Sequence, residues 1–574
     1  MKKYNPMKYK YLRTIILFIM IFVIMESGSS QDLVLPEGFP EYEVIRTEDV
    51  SPGYAFLSIQ PSSKKESWLV VMDSYGTPVY YRYFAKKTTY FQLQPSGYLN
   101  FSEKTATAST TAIMDSTFTI IDRVPIQNGY RNNRHDFIHS EDGEFILIGM
   151  DPVVMDLSEV VEGGSTDATV TGCVVQVQNS EKEVVLDWNS RDYFNITDSY
   201  ADLTASSIND VHPNSIELDL DGNILLISRA MNEVTKIDRT TGDIIWRFGG
   251  KNNQFTFTNE ADAFSMPHDI RVLKNGNYTL FDNGNTREPQ FSRAIEYKLD
   301  TENMTATKVW EYCGDSTIYT SIKGSTQRLE NGNTIIGYGA LDKPGVIEVT
   351  PDGKIAWHLN YAPGGSANIV VKHPWKTSLF STNTDTVNFG EWNGYTHSVY
   401  ILSIKNNSDK ELQLSNYHLH TNAFILDNEL FPMTLAPNEE KSIHILYFPD
   451  EINSSEVNDV LTINSDINND KLIQRIAVQV HLTGTKFYSS IASNSIDNVK
   501  VFPNPAHDLL TISSPKHLIG QVCVYSLNGS MVYKNNIIDN KTTIDITGLE
   551  KGIYIIEIFD ESLNKYYRKK IVKL

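Results

Sequence analysis

Three histidines head similar phrases along this chain: His135 in HDFIHSEDGEF, His212 in VHPNSIELDLDGN and His268 in PHDIRVLKNGN. They lie 77 and 56 residues apart, and each precedes a glycine turn and a strand-like run within ten residues. Asn214 follows His212 in the phrase VHPNS, and Arg229 closes the run LLISR. Three imidazoles, an amide and a guanidinium offer no carboxylate pair for acid/base work on sugars. They suit a tetrahedral oxyanion. Arginine presents a planar fork of donors to such an anion, and imidazoles add charge or hydrogen bonds according to protonation. An imidazole nitrogen can also attack the central atom and hold the transferred group. A lone histidine before a strand is ordinarily structural, and three in register with Arg229 outweigh that reading. The corresponding place in the next repeat falls near Ser325, 57 residues beyond His268, with Thr326 the alternative.

The register requires a repeating scaffold. Glycine-turn strands begin at Gly97, Gly143, Gly222, Gly276 and Gly332, and hairpins such as TKIDRTTGDIIWRF and IEVTPDGKIAWHL follow them. Pairing the two phrases gives units near 91–123, 135–190, 212–250, 268–312 and 325–360, and an early hairpin over 54–82 makes a sixth. Period-two patterning with Asn-Gly and Asp-Gly turns excludes helical solenoids. Short strands repeating at this length predict the blades of a β-propeller, six in number, whose inner strands converge on one channel. Trp188, Trp246, Trp310 and Trp357 recur at blade period and are expected between blades. Arg287 either binds an anion or pairs with Asp282; His358 and His373 are expected to be structural.

At 574 residues, several domains are expected. Lys2, Lys3, Lys8, Lys10 and Arg13 precede an apolar run from Ile15 to Met25, too short to span a bilayer, so residues 1–30 read as an export signal. The propeller is expected over 31–375. Alternating strands over 380–487 predict an immunoglobulin-like β-sandwich, and 497–574 forms a further small β-sandwich. With 50 basic against 70 acidic residues, the net charge of -20 argues against nucleic acid as a partner. The three cysteines have no metal-ligand spacing and read as free thiols, one bridge remaining open; no metal or cofactor is expected.

The segments HDFIHSEDGEFILIG, VHPNSIELDLDGNILLISR, IDRTTGDIIWRFGG and MPHDIRVLKNGNYTLFDNGNTR resemble the bacterial arylsulfate sulfotransferases. The resemblance implies a six-bladed propeller that moves a sulfuryl group from an aryl sulfate to a phenolic acceptor without a nucleotide donor. It implies His268 as nucleophile, with His135, His212, Asn214 and Arg229 around the sulfate. By that resemblance His212 is the group protonating the departing phenolate, and the last blade's hydroxyl falls on Ser325 or Thr326. The motifs VFPNPA, VYSLNG, DITGL and GIYI after residue 499 resemble the type A sorting domain of type IX secretion, implying the secretion machinery as a partner and a secreted or cell-surface destination reached through the periplasm. Two alternatives stand beside the transferase: a surface-displayed propeller that only binds a ligand or protein, and a sulfatase-like enzyme with water as acceptor.

Overall fold

The computed structural model describes residues 33–574 apart from 62–64, 105–108, 261–262, 315, 393–397, 427–429, 450–454, 487–498, 515–517, 519, 528 and 562–564. The expected export signal, 1–30, lies outside the described residues. The protein is all-β: among the described residues the helices are three single turns, Ser190–Asp192, Ile196–Asp198 and Arg229–Met231.

Five antiparallel sheets follow one another as four-strand meanders. Their first strands are Thr88–Leu93, Arg131–His139, Pro213–Leu218, His268–Val272 and Ser325–Arg328, and their fourth strands end at Val124, Asn189, Gly249, Tyr312 and Tyr361. The shared turn explains the repeat. Gly97, Gly143, Gly222, Gly276 and Gly332 each donate the backbone N–H to the carbonyl three residues earlier. Gly276, at φ 81°, occupies left-handed backbone that a side chain disfavours.

Another sheet is built from both ends of this region. Strand Ser366–His373 pairs with Tyr54–Gln60, which continues into Ser67–Met72 and Pro78–Phe84. At the same seam, Tyr42–Arg46 adds to the outer edge of the sheet that ends at Tyr361. Buried Lys372 and Glu348 pair at 2.8 Å across it. The first strands of the five meanders and Ser366–His373 contact one another in sequence and return to Thr88–Leu93, closing a ring. Strand Ser366–His373 lies outside every expected unit, so period alone does not reveal the closure.

The core lies between neighbouring sheets. Trp188 packs with Val211, Ile216 and Leu226 of the following sheet. Trp246 and Phe248 pack with Tyr278, Leu280 and Tyr297 of the next. Trp310 rests on the cluster of Phe281 and Ile336. A flat, half-buried sheet face is covered only by its neighbour, so the meanders stabilise one another.

After the ring, strands over 380–486 form a two-layer β structure. One layer contains Ser398–Asn406 and Glu440–Tyr447; the other contains Glu456–Asn469 and Leu472–Lys486. The latter strand pairs with Pro78–Phe84, placing Arg475 opposite Tyr81, so the ring's sheet continues into this region. The last strands, from Lys500 to Lys573, pack around Val522, Val524, Ile544, Ile556 and Ile571. Cys173, Cys313 and Cys523 are free thiols. No helix among the described residues is long and apolar enough to cross a membrane.

Candidate active site

His268 opens its strand just after Met266, whose φ is 51°, and before Asp269, whose φ is 57°. The pairing with Tyr278–Asp282 slips between His268 and Arg271. Such irregularities re-aim side chains, and left-handed non-glycine residues persist only where the surroundings enforce them. His268 is 5% exposed. Its Nδ1 lies 2.6 Å from Asn283 Oδ1. Asn283 Nδ2 donates to the carbonyls of Thr320, at 2.8 Å, and Lys323, at 2.9 Å. With its amide nitrogen so committed, Asn283 presents an acceptor, so Nδ1 of His268 carries the proton and Nε2 carries the lone pair. The Lys323 backbone N–H donates to that Nε2 at 3.1 Å.

Burial holds the His268 imidazole well below the usual histidine range; the Asn283 bond opposes this, and Arg229, His135 and His212 reinforce it. The His135 and His212 ring centroids are 6.0 Å apart. Burial, then His212 and Arg134, push His135 down to about 3, and burial with Arg229 pushes His212 down to about 4. His135 Nδ1 meets Asn133 Oδ1, and Asn133 Nδ2 donates to the Pro213 carbonyl at 3.3 Å. An asparagine oxygen thus faces Nδ1 at His135 as at His268, two sheets apart in the ring. His212, at φ 50°, accepts the backbone N–H of Arg229 on its carbonyl at 3.0 Å.

Asn214 Nδ2 donates to the Pro267 carbonyl at 3.2 Å, beside His268, while its buried Oδ1 has no hydrogen-bond partner. Arg229 Nη2 donates to the Ser321 carbonyl at 3.1 Å, and its buried Nε has no partner. Three sheets therefore bring His135, His212, Asn214, Arg229 and His268 to one end of the ring.

Ser325 Oγ accepts the Val370 N–H at 2.9 Å and donates to its carbonyl at 3.3 Å, so the hydroxyl is engaged in closing the ring. Thr326 donates its backbone N–H to Asp269 Oδ2 at 2.7 Å, and its buried Oγ1 has no partner. Arg287 pairs with Asp282, as one of its two sequence readings holds.

Sequence reasoning missed the supports. Asn133, Asn283 and Lys323 act through contacts that no spacing reveals. A second layer lies beneath: buried Arg271 meets Asp269 at 2.6 Å, Asp136 at 3.0 Å and Glu217 at 3.4 Å. Burial pushes Glu217 up to about 7 against the pull of Arg271. Its signal was the dipeptide His-Asp, present at both His135-Asp136 and His268-Asp269. Three uncharged imidazoles beside a guanidinium can offer a lone pair to an electrophile while the cation holds an oxyanion.

A ring of β-sheets with its polar side chains converging at one end defines a propeller-like all-β protein. The chain belongs to the arylsulfotransferase (ASST) family, whose profile matches residues 43–356. Residues 500–573 match the secretion system C-terminal sorting domain, which marks the chain for secretion or the cell surface and for the machinery that delivers it there. Curated relatives match over short stretches. An endo-acting ulvan lyase of Formosa agariphila is 37% identical over 89 residues, 15% of this chain and 17% of that protein. Beta-agarase D of Zobellia galactanivorans is 37% identical over 76 residues, 13% and 15% of the two. The chain thus spans about a sixth of their lengths. Among solved structures, a Bacteroides caccae protein of unknown function has a TM-score of 0.36 at 12% identity, covering 56% of this chain and 99% of its own. Virginiamycin B lyase of Staphylococcus aureus has a TM-score of 0.28 at 10% identity, covering 58% and 88%. These structural likenesses are too distant to carry weight.

Proposed function

We propose that the protein is an arylsulfate sulfotransferase, a six-bladed propeller over 31–375 working by a ping-pong route through a sulfohistidine at His268. The observation that carries the reading is the single tautomer of His268, uncharged and beside Arg229. Its Nε2 lone pair attacks the sulfur of an aryl sulfate. The N–S bond forms as the bond from sulfur to the aryl oxygen breaks, and the electron pair leaves on the phenolate. Arg229 and the remaining Nδ2 hydrogen of Asn214 hold the sulfuryl oxygens, with His135 donating from Nε2 once the bound anion draws a proton onto it. The Lys323 N–H moves from the Nε2 of His268 to one of those oxygens as the lone pair is used. His212 protonates the phenolate, because the negative charge of the bound anion opposes the depression that burial and then Arg229 impose on its imidazole. The acceptor phenol then returns that proton to His212 and takes the sulfuryl group. In this scheme the sheet that begins at Ser325 contributes Lys323, and Ser325 secures the seam. Transit through the periplasm behind an N-terminal export signal, 1–30, completes the proposal.

The test is incubation with 4-nitrophenyl sulfate, with and without phenol. Nitrophenol release stimulated by phenol, a sulfuryl adduct on the His268 peptide, and loss of both in a folded His268→Ala variant are expected. A protein that consumes no aryl sulfate with any phenol is a binding module. Release unaffected by phenol makes water the acceptor.

A further inference from the structure

The mouth of the ring is more cationic than one sulfate requires. Lys87 immediately precedes the first strand of one sheet, Arg134 stands beside His135 in the next, Arg229 follows a strand of the third, and Lys323 precedes strand Ser325–Arg328. They come from four different sheets in a chain of net charge -20. Among the described residues none of the four forms an ion pair. Lys323 Nζ has only the Ser366 hydroxyl, at 3.2 Å. Lys87 is exposed, and the other three are half-buried. The charges feel one another: burial and then Lys87 push Lys323 down to about 8, and Arg134 adds to the lowering of Lys87 by burial.

Lys-rich surfaces are ordinarily solvated and paired with acids. Here the acids Asp136, Asp269 and Glu217 lie in the layer beneath and are already shared with Arg271. Before substrate binds, the imidazoles contribute no positive charge. A single sulfate at Arg229 therefore leaves Lys87, Arg134 and Lys323 uncompensated at the end of the ring where, on the sulfotransferase reading, the rest of the substrate would lie. In a ping-pong reaction donor and acceptor occupy that space in turn, so one set of contacts selects both.

We infer that Lys87, Arg134 and Lys323 form a second anion subsite, and that the aromatic group exchanged at this site carries an anionic substituent. The inference rests on the sulfotransferase reading for its turnover measurement but not for its binding measurement. With 4-nitrophenyl sulfate as donor, three acceptors of similar phenolic acidity are compared: 4-hydroxyphenylacetate, phenol and tyramine. The kcat/KM is expected to be about tenfold higher for the carboxylate than for phenol and lowest for tyramine, as a charge-assisted contact allows. In a Lys87→Met, Arg134→Met double variant the carboxylate advantage falls to about twofold or less, and Lys87→Arg retains it. In parallel, calorimetry measures 1,4-benzenedisulfonate against benzenesulfonate, with no turnover needed. About tenfold tighter binding of the disulfonate, lost in the double variant, is expected. If no phenol is sulfated but the disulfonate preference holds, the subsite stands and the transferase reading falls. If sulfuryl transfer occurs but neither preference appears, or both persist in the double variant, the subsite is overturned and the transferase reading stands.

Discussion

Asn283 sets the tautomer of His268. Its Oδ1 lies 2.6 Å from Nδ1, and its amide nitrogen is held by the Thr320 and Lys323 carbonyls, so reversing the amide would set its oxygen against both carbonyls. The same residue thus ties the candidate nucleophile to the segment that enters the next sheet.

Asn283→Leu removes the acceptor and leaves the imidazole free to change tautomer. Loss of such an orienting partner is expected to lower kcat with 4-nitrophenyl sulfate by about 10- to 100-fold, with a smaller change in KM. Asn283→Asp keeps an acceptor but adds a negative charge, which favours the imidazolium. Because only the uncharged form can attack, the acid limb of its kcat/KM profile should move to higher pH than in the native protein. An unshifted limb would remove Asn283 from the support of His268.

The histidines also make stability depend on acid. His135 and His212 are held near 3 and 4 in the fold, and His268 is held well below its ordinary value. The unfolded chain takes up these protons near pH 6.5, before the folded protein does. The contribution is therefore complete above about pH 6.5 and is lost as pH falls from there toward the folded values. The expected slope is on the order of 1 kcal/mol per pH unit for each histidine. Urea unfolding at pH 7.5 and at pH 5 measures it. His212→Gln should flatten the dependence, and an unchanged slope would show that the imidazoles are already protonated in the fold.

Among the described residues, Arg271 is the one cation shared by Asp136, Asp269 and Glu217. Arg271→Met leaves buried carboxylates uncompensated, which costs about 3–5 kcal/mol. A large fall in the thermal midpoint is expected, partly recovered when the variant is assayed at a pH low enough to protonate Glu217, which burial already holds near 7. A midpoint that falls no further than for an exposed Lys274→Met control would show that the floor relaxes to admit water.

Much of this was legible in the sequence because strand pairing and repetition are local. Period-two patterning and a left-handed turn glycine in each repeat determine meanders, and His135, His212 and His268 each stand 8 to 10 residues before such a glycine, which puts them at similar places in successive repeats. Asn214 and Arg229 were legible as candidates for an oxyanion site from their residue types alone. The tertiary structure alone decided how the ring closes, since Ser366–His373, which lies outside every expected unit, pairs with Tyr54–Gln60 across some 300 residues. It likewise decided that Ser325 holds Val370, that Lys323 reaches His268, and that Asn283 assigns its proton. Those contacts are set by the packing of one sheet against the next. Linear spacing determines which residues share a level of the ring, but side-chain partners within that level depend on distances of a few ångströms that only the closed ring establishes.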